Sequence, residues 1–338
     1  MRVRSVTFVA PWQVELREEE SSWEKLADRD LLIDTECTVV SAGTELALLS
    51  GREAWARLPC VPGYGSVGVV REAGAAVKDF RPGDRVFSYA SHQSPTLARG
   101  LIVRVPDDLD PRLAVLARMA QVGFTAPRVS NAELGDTAAV IGLGLVGNLA
   151  AQFMALSGCT VIGIDLSARR LEVARACGIE HTVNARETDP VEAVRQITQG
   201  AMCEAVVEAS GSPDLVVTAA RLAGKLGEVI LLGSPRGEFT GDAMALLNAV
   251  HLWGNGCVTL KGGHEWRYPT YQDPNGHIKH SLERNLRLTF DFIRHGKLHV
   301  EELVSHCLPP SQCAEAYANL RARNEDYLGV VFDWRQPA

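Results

Sequence analysis

Gly142, Gly144 and Gly147 stand in the order G-x-G-x-x-G within GLGLVG. Alone the pattern is weak, because glycine is common and a glycine turn also occurs in α/β proteins that bind no nucleotide. Here it follows the apolar run 138–141 and opens a segment of helix length. In that setting the first glycine permits a tight turn, the second lets backbone approach a pyrophosphate, and the third lets helix and strand pack. The N–H groups at the helix start, where Leu145 and Val146 lie, then face the anion. A second apolar run, TVIGI, ends in Asp165, 18 positions beyond Gly147. That is close to the spacing of about 20 expected for an acid that accepts hydrogen bonds from the adenosine ribose. Such a carboxylate repels a 2′-phosphate, which favours NAD(H) over NADP(H). Arg169 and Arg170 pull the other way, since an arginine just past this strand can hold a 2′-phosphate, lie against the adenine, or remain solvated. Asp165 decides for NAD(H), with Arg170 included in the site.

The elements needed to position these residues are legible around them. From Thr137 onward, apolar runs, glycine turns and helix-length segments alternate, with EAVVEA leading into Ser210-Gly211 and EVILLG closing at Gly233. This alternation predicts a doubly wound parallel sheet with Ser210 and Gly233 at strand ends beside the cofactor. Before it, the first 125 or so residues carry short β-branched runs, such as 30–40 and 65–70, punctuated by turns such as Gly83-Asp84. After it come an amphipathic helix over 282–293, a helix around 314–323 and a strand over 329–334 that returns to the first domain.

Composition narrows the function classes. The 338 residues, 46% of them hydrophobic, suffice for two domains with a sizeable core. A net charge of −7 gives no basic footprint for nucleic acid, so a small-molecule substrate is expected. Eight scattered cysteines without a CxxC pair read as buried thiols in a reducing compartment. With no secretory pattern and no run of 18 apolar residues, a cytoplasmic protein without a membrane partner is expected.

The segments SAGTELALLSG, PGYGSVGVV, PGDRV, VGFTAPRV, the 140–178 stretch and VVEASG stand in an order and spacing that covers nearly the whole chain. In these the chain resembles the medium-chain dehydrogenase/reductases, and among them the sorbitol and threonine dehydrogenase-like branch. The resemblance implies an α/β protein: a GroES-like β-rich catalytic domain, 1–125 with 270–338, and a Rossmann dinucleotide-binding domain, 126–269, with the active site in the cleft between them. It also implies a homodimer or homotetramer.

Zinc-dependent members of that family carry Cys-Gly-Ser/Thr-Asp, then Gly-His-Glu, and later a Glu or Cys as metal ligands. The matching stretches here place Ala42, Tyr64 and Arg118 at the ligand positions, and the four-cysteine lobe of many relatives is missing between PGDRVFSY and LIVRVPDDL. Zinc needs thiolate, imidazole or carboxylate, so neither a catalytic nor a structural zinc is expected. Thr44 matches the family's proton-relay hydroxyl, or caps a helix starting near Glu45. Without a metal, a positioned donor or cation must stabilise the developing oxyanion. Tyr64 could donate a proton or merely fill the vacated space. His92 suits acid–base work, although a loop histidine is often just solvated or hydrogen-bonded. Arg118 could pin a substrate carboxylate or phosphate, or pair with an acid such as Glu45. Lys261, His264, Trp266, Arg267, Tyr268 and Tyr271 could form a stacking surface for a polar ring, or an oligomer contact. The function expected is zinc-independent, NAD(H)-dependent oxidation of a secondary alcohol on a polyol- or sugar-like substrate. The rivals are a zinc-free enoyl or quinone reductase and a catalytically silent NAD(H)-binding protein.

Overall fold

The computed structural model describes residues 1–21 and 26–336. They form two compact units: one from Met1–Arg118, Thr270–His295 and the chain from Leu303 onward, the other from Met119–Pro269 and Gly296–Glu302.

The first unit is β-rich. Its strands are β1 (Arg2–Ala10), β2 (Gln13–Glu20), β3 (Leu31–Val39), β4 (Ser66–Ala73), β5 (Arg85–Ser88), β6 (Gln93–Ser94), β7 (Thr96–Ala98) and β8 (Ile102–Arg104). Two more, β15 (Val304–Leu308) and β16 (Gly329–Asp333), come from the C-terminal part of the chain. A small sheet has the order β2-β1-β6, and a larger one β15-β16-β3-β4-β5-β8, with β7 also on β3. The returning strand β16 is buried throughout and lies antiparallel to β3, with Val331 opposite Val39. Val6, Phe8, Leu49, Tyr317 and Phe332 share one core. That core clamps β1, β16 and the helices Ala42–Ser50 and Cys313–Arg321. Each fully buried side chain of this kind stabilises by about 1.5–3 kcal/mol relative to exposure.

The second unit holds six parallel strands: β9 (Thr137–Ile141), β10 (Thr160–Asp165), β11 (His181–Asn184), β12 (Cys203–Glu208), β13 (Ala223–Leu231) and β14 (Thr259–Gly262). Their order is β11-β10-β9-β12-β13-β14. Apolar clusters cover both faces, which explains why β9, β10 and β12 read as nearly continuous apolar runs rather than alternating ones. The chain reverses direction of travel between β9 and β12, and such sheets take ligands at the carboxyl ends of those strands. Two strands carried no such signal: HTVN of β11 is short and polar, and TLKG of β14 contains a lysine and a glycine.

The structure corrects one expectation. All eight cysteines are free, but only Cys37, Cys159, Cys177, Cys203 and Cys313 are buried, while Cys60, Cys257 and Cys307 are partly exposed. Several residues of the 261–280 segment make local bonds. Lys261 is on β14, paired with the buried Glu228 and donating to the Val129 carbonyl at 3.0 Å. Tyr268 donates to the Arg128 carbonyl at 3.0 Å, and His264 Nδ1 accepts from the Trp266 N–H. Trp266 and Tyr271 remain exposed. Among the described residues no helix is long and apolar enough to cross a membrane.

Candidate functional site

In the second unit the residues singled out by spacing converge. Gly142 has φ +86°, and its N–H donates to the Ile164 carbonyl at 2.8 Å, tying the turn to β10. A Cβ on Gly147 would lie 1.8 Å from the Gly142 carbonyl oxygen, so only glycine lets the helix Leu145–Leu156 start this close to the strand. Gly144, the N-cap, is the opposite case: a Cβ there would meet nothing within 4 Å, and the cap has no side-chain hydrogen bond. A Cβ on Gly142 would reach Ser210 at 3.0 Å, and one on Gly233 would come within 2.3 Å of the Gly211 nitrogen. The turns after β9, β12 and β13 are therefore packed backbone to backbone. Glu208 at the end of β12 organises them, its buried carboxylate accepting from the Ser210 N–H and hydroxyl and from the Gly211 N–H.

Asp165 ends β10 and is only 8% exposed. One carboxylate oxygen accepts from the Leu143 N–H at 2.7 Å and the other from the Ser167 N–H at 2.8 Å, with the Arg170 guanidinium 3.7 Å away. The acid thus orders the glycine turn as well as facing the end of the sheet. The residues fit a dinucleotide: the open side of Gly144, the uncapped helix start and the acid on the neighbouring strand are what a pyrophosphate and a ribose require.

In the first unit, Ser41 is the N-cap of the helix Ala42–Ser50, so Thr44 lies inside the first turn and is not the cap of a helix starting near Glu45. The loop 63–65 is pinched from both sides. Gly63, at φ +94°, packs on the His92 ring, where a Cβ would approach to 2.7 Å, and Gly65 packs on Arg118, where it would approach to 2.8 Å. Tyr64 between them donates its phenol proton to Ser41 Oγ. The Arg118 guanidinium, on a side chain only 4% exposed, sits 4.6 Å from the Tyr64 ring centroid and 5.1 Å from that of Tyr89. Burial pushes the Tyr64 phenol above its ordinary range, while Arg118 and the hydroxyls of Ser41 and Thr44 act to lower it.

His92 is placed apart from this group. It is fully buried behind the turn, with Nε2 3.1 Å from Glu45 Oε2, which also accepts the Tyr317 phenol. Burial, reinforced by Glu45, drives the Tyr317 phenol far up. Thr44, Tyr64 and Arg118 are thus brought together, and His92 is not. Sequence reasoning missed Ser41, Tyr89 and Tyr317. Ser41 stood in plain view at the head of SAGTE, whereas Tyr317 lies in a helix near the chain end with no local signal.

The residues do not fit zinc. The positions matched to metal ligands offer a methyl group, a phenol and a guanidinium, the last a permanent buried cation. Among the described residues no group of three or more His, Cys, Asp or Glu could hold a metal ion.

A β-rich unit with a doubly wound, dinucleotide-type unit defines the architecture of a two-part dehydrogenase. Residues 27–104 match the alcohol dehydrogenase GroES-like domain, and residues 146–267 match the zinc-binding dehydrogenase family. The chain belongs to the medium-chain dehydrogenase/reductase superfamily, oxidoreductases that bind nicotinamide cofactors. It is similar to an uncharacterized zinc-type alcohol dehydrogenase-like protein of Haemophilus influenzae, 24% identical over 361 residues that cover 97% of this chain and 98% of that one. It is also similar to D-guloside 3-dehydrogenase of Shigella flexneri, 29% identical over 160 residues, 46% of each chain. A solved structure from Sinorhizobium meliloti 1021, bound to NADP, shares the fold with a TM-score of 0.80 at 21% identity, covering 98% of this chain and 99% of that one.

Proposed function

We propose that this protein is a zinc-independent, NAD(H)-dependent oxidoreductase that moves hydride between the nicotinamide and a secondary alcohol or ketone of a polyol- or sugar-like substrate. The observation that carries this reading is the phenol of Tyr64, held by the Ser41 hydroxyl beside a buried guanidinium, at a position matched to a metal ligand. When bound, the dinucleotide supplies the hydride acceptor or donor. The protein's own residues handle the proton and the charge. Tyr64 gives its proton to the carbonyl oxygen in reduction and takes the hydroxyl proton in oxidation. Arg118 stabilises the negative charge that develops at the phenol and the substrate oxygen. Thr44 steadies the phenol from the helix side. His92 acts at one remove, as an anchor for Glu45.

Gly142, Gly144, Leu145, Val146 and Gly147 hold the pyrophosphate, with Ser210 and Gly233 closing the same strand ends. Asp165 favours NAD(H), because a 2′-phosphate brought to its carboxylate meets like charge; Arg170 only partly offsets that charge from 3.7 Å. The NADP-bound fold neighbour makes cofactor preference a point to be measured. The relative named for a guloside supports a polar substrate, and a homo-oligomer in a reducing, cytoplasmic compartment completes the reading. The test is NADH formation from a polyol panel after exhaustive chelation. Turnover that survives chelation and exceeds that with NADP supports the proposal. Turnover that vanishes and returns with zinc contradicts it, and activity confined to enone or quinone reduction points to the rival chemistry.

A further inference from the structure

We infer that Ser41 is a further catalytic hydroxyl, the group that exchanges the proton with Tyr64, and that the buried Glu45 is the positioning residue that holds it there. The inference rests on the proposed role of Tyr64 as the proton-transfer group.

A serine at a helix N-cap ordinarily spends its hydroxyl on an N–H of the first turn. Ser41, at φ −93° and ψ 80°, makes no such bond. Its Oγ instead accepts from the Tyr64 phenol. The capping is reversed: Glu45, from the fourth helical position, accepts the Ser41 backbone N–H on Oε1 at 2.8 Å. That carboxylate is only 1% exposed, and its other oxygen is held by the Tyr317 phenol and by His92 Nε2 at 3.1 Å. Residues from three separate stretches of the first unit thus converge to fix one backbone N–H, and through it one hydroxyl. The glutamate supplies half of a capping box, but the serine hydroxyl that would supply the other half is turned to Tyr64 instead, a local departure of the kind expected at functional sites.

The proton path balances. In oxidation a bound nicotinamide in its oxidised form would supply the acceptor for the hydride released when the substrate C–H bond breaks. The substrate hydroxyl proton binds to the Tyr64 oxygen as the phenol's own proton passes to Ser41 Oγ, and the serine's original proton passes to water. Ser41 is half-buried, so water can take that proton. Reduction runs the same exchange in reverse.

The experiment compares Ser41→Ala, Ser41→Thr and Tyr64→Phe in the full chain, with D-sorbitol and NAD as the kinetic probe. In parallel, NMR titration of ¹³Cζ-labelled tyrosine follows the Tyr64 phenol directly. Ser41→Ala is expected to lower kcat by roughly 10–100-fold with KM unchanged, a loss of the size general acid–base groups contribute. Ser41→Thr is expected to recover most of it. In the titration, Ser41→Ala should move Tyr64 to higher pH, because the hydroxyl that lowers its ionisation is gone, and Glu45→Gln should disturb the same resonance. An unmoved Tyr64 titration in Ser41→Ala overturns the inference whatever the turnover of the probe. Full kcat in Ser41→Ala beside a crippled Tyr64→Phe also overturns it while leaving the Tyr64 reading intact. Full kcat in Tyr64→Phe brings down both.

Discussion

The glycine turn of the second unit and the Tyr64 loop of the first each contain glycines with no room for a side chain, Gly142 and Gly147 in one and Gly63 and Gly65 in the other, yet they teach opposite lessons. At the turn every local rule agrees: strand, φ-positive glycine, close-packed glycine, helix start and acid follow one another in sequence and in space. At the Tyr64 loop the rules are broken together. An N-cap serine does not cap, a glutamate and an arginine are almost fully buried, and a phenol stands beneath a cation. The first arrangement is what any dinucleotide site needs. The second is the kind of local departure expected at functional or strained sites.

The sharpest way to break this comparison is inside the turn itself. Gly147→Ala puts a methyl 1.8 Å from the Gly142 carbonyl and must push helix from strand, an overpacking that costs about 1–3 kcal/mol or more. NADH binding, followed by fluorescence, is expected to be lost by at least about 100-fold, the equivalent of roughly 2.7 kcal/mol, together with a lower Tm. Gly144→Ala meets no protein atom, so Tm should hold while NADH binding weakens by about tenfold, or 1.4 kcal/mol, as the methyl enters the anion's space. Equal effects of the two substitutions would mean the open side of Gly144 is not where the pyrophosphate lies.

Asp165→Ala comes next. It removes a ribose acceptor and also the partner of the Leu143 and Ser167 N–H groups, so affinity for both cofactors should fall. The fall should be larger for NAD, narrowing the NAD over NADP preference by about tenfold, or 1.4 kcal/mol. A cofactor ratio that does not move assigns Asp165 to loop order alone.

The smallest effect concerns titration, and it spans both units. Burial pushes the thiols of Cys177 and Cys203 in the second unit up to about 12, and that of Cys313 in the first up to about 11, from 9.0. Because the folded values are raised, the native state retains protons the unfolded chain would lose. This stabilisation is complete below about pH 9 and is lost as pH climbs through 11 to 12. Tm should be flat from pH 6 to 8 and lower by several degrees at pH 10, where each of the three thiols forfeits roughly one pH unit of stabilisation, about 1.4 kcal/mol. A Tm that is flat or rising through pH 11 contradicts the burial of these groups.

How far the sequence reached follows from the same contrast. The parallel sheet and its turn were legible because helix, strand and glycine signals are local and repeat. β11 and β14 escaped because an edge strand in a parallel sheet can be short and polar. Tyr64 and Arg118 were legible only as departures from a family pattern. Their partners were hidden because contacts such as Glu45 to Tyr317 join residues 272 positions apart, for which a single sequence carries no periodic signal. His92 could be read from the sequence as a base or as a hydrogen-bonded loop histidine; the structure buries it fully beside Gly63, with Nε2 on Glu45.

The central claim is that a phenol does here what a metal does in zinc-dependent relatives, and Tyr64→Phe measured on chelated enzyme tests it most directly. The account predicts that kcat for alcohol oxidation falls by about 100-fold and loses the pH limb set by the phenol, while NADH affinity and KM stay as they were. An unchanged kcat with an unchanged pH profile would reduce Tyr64 to packing and contradict the account.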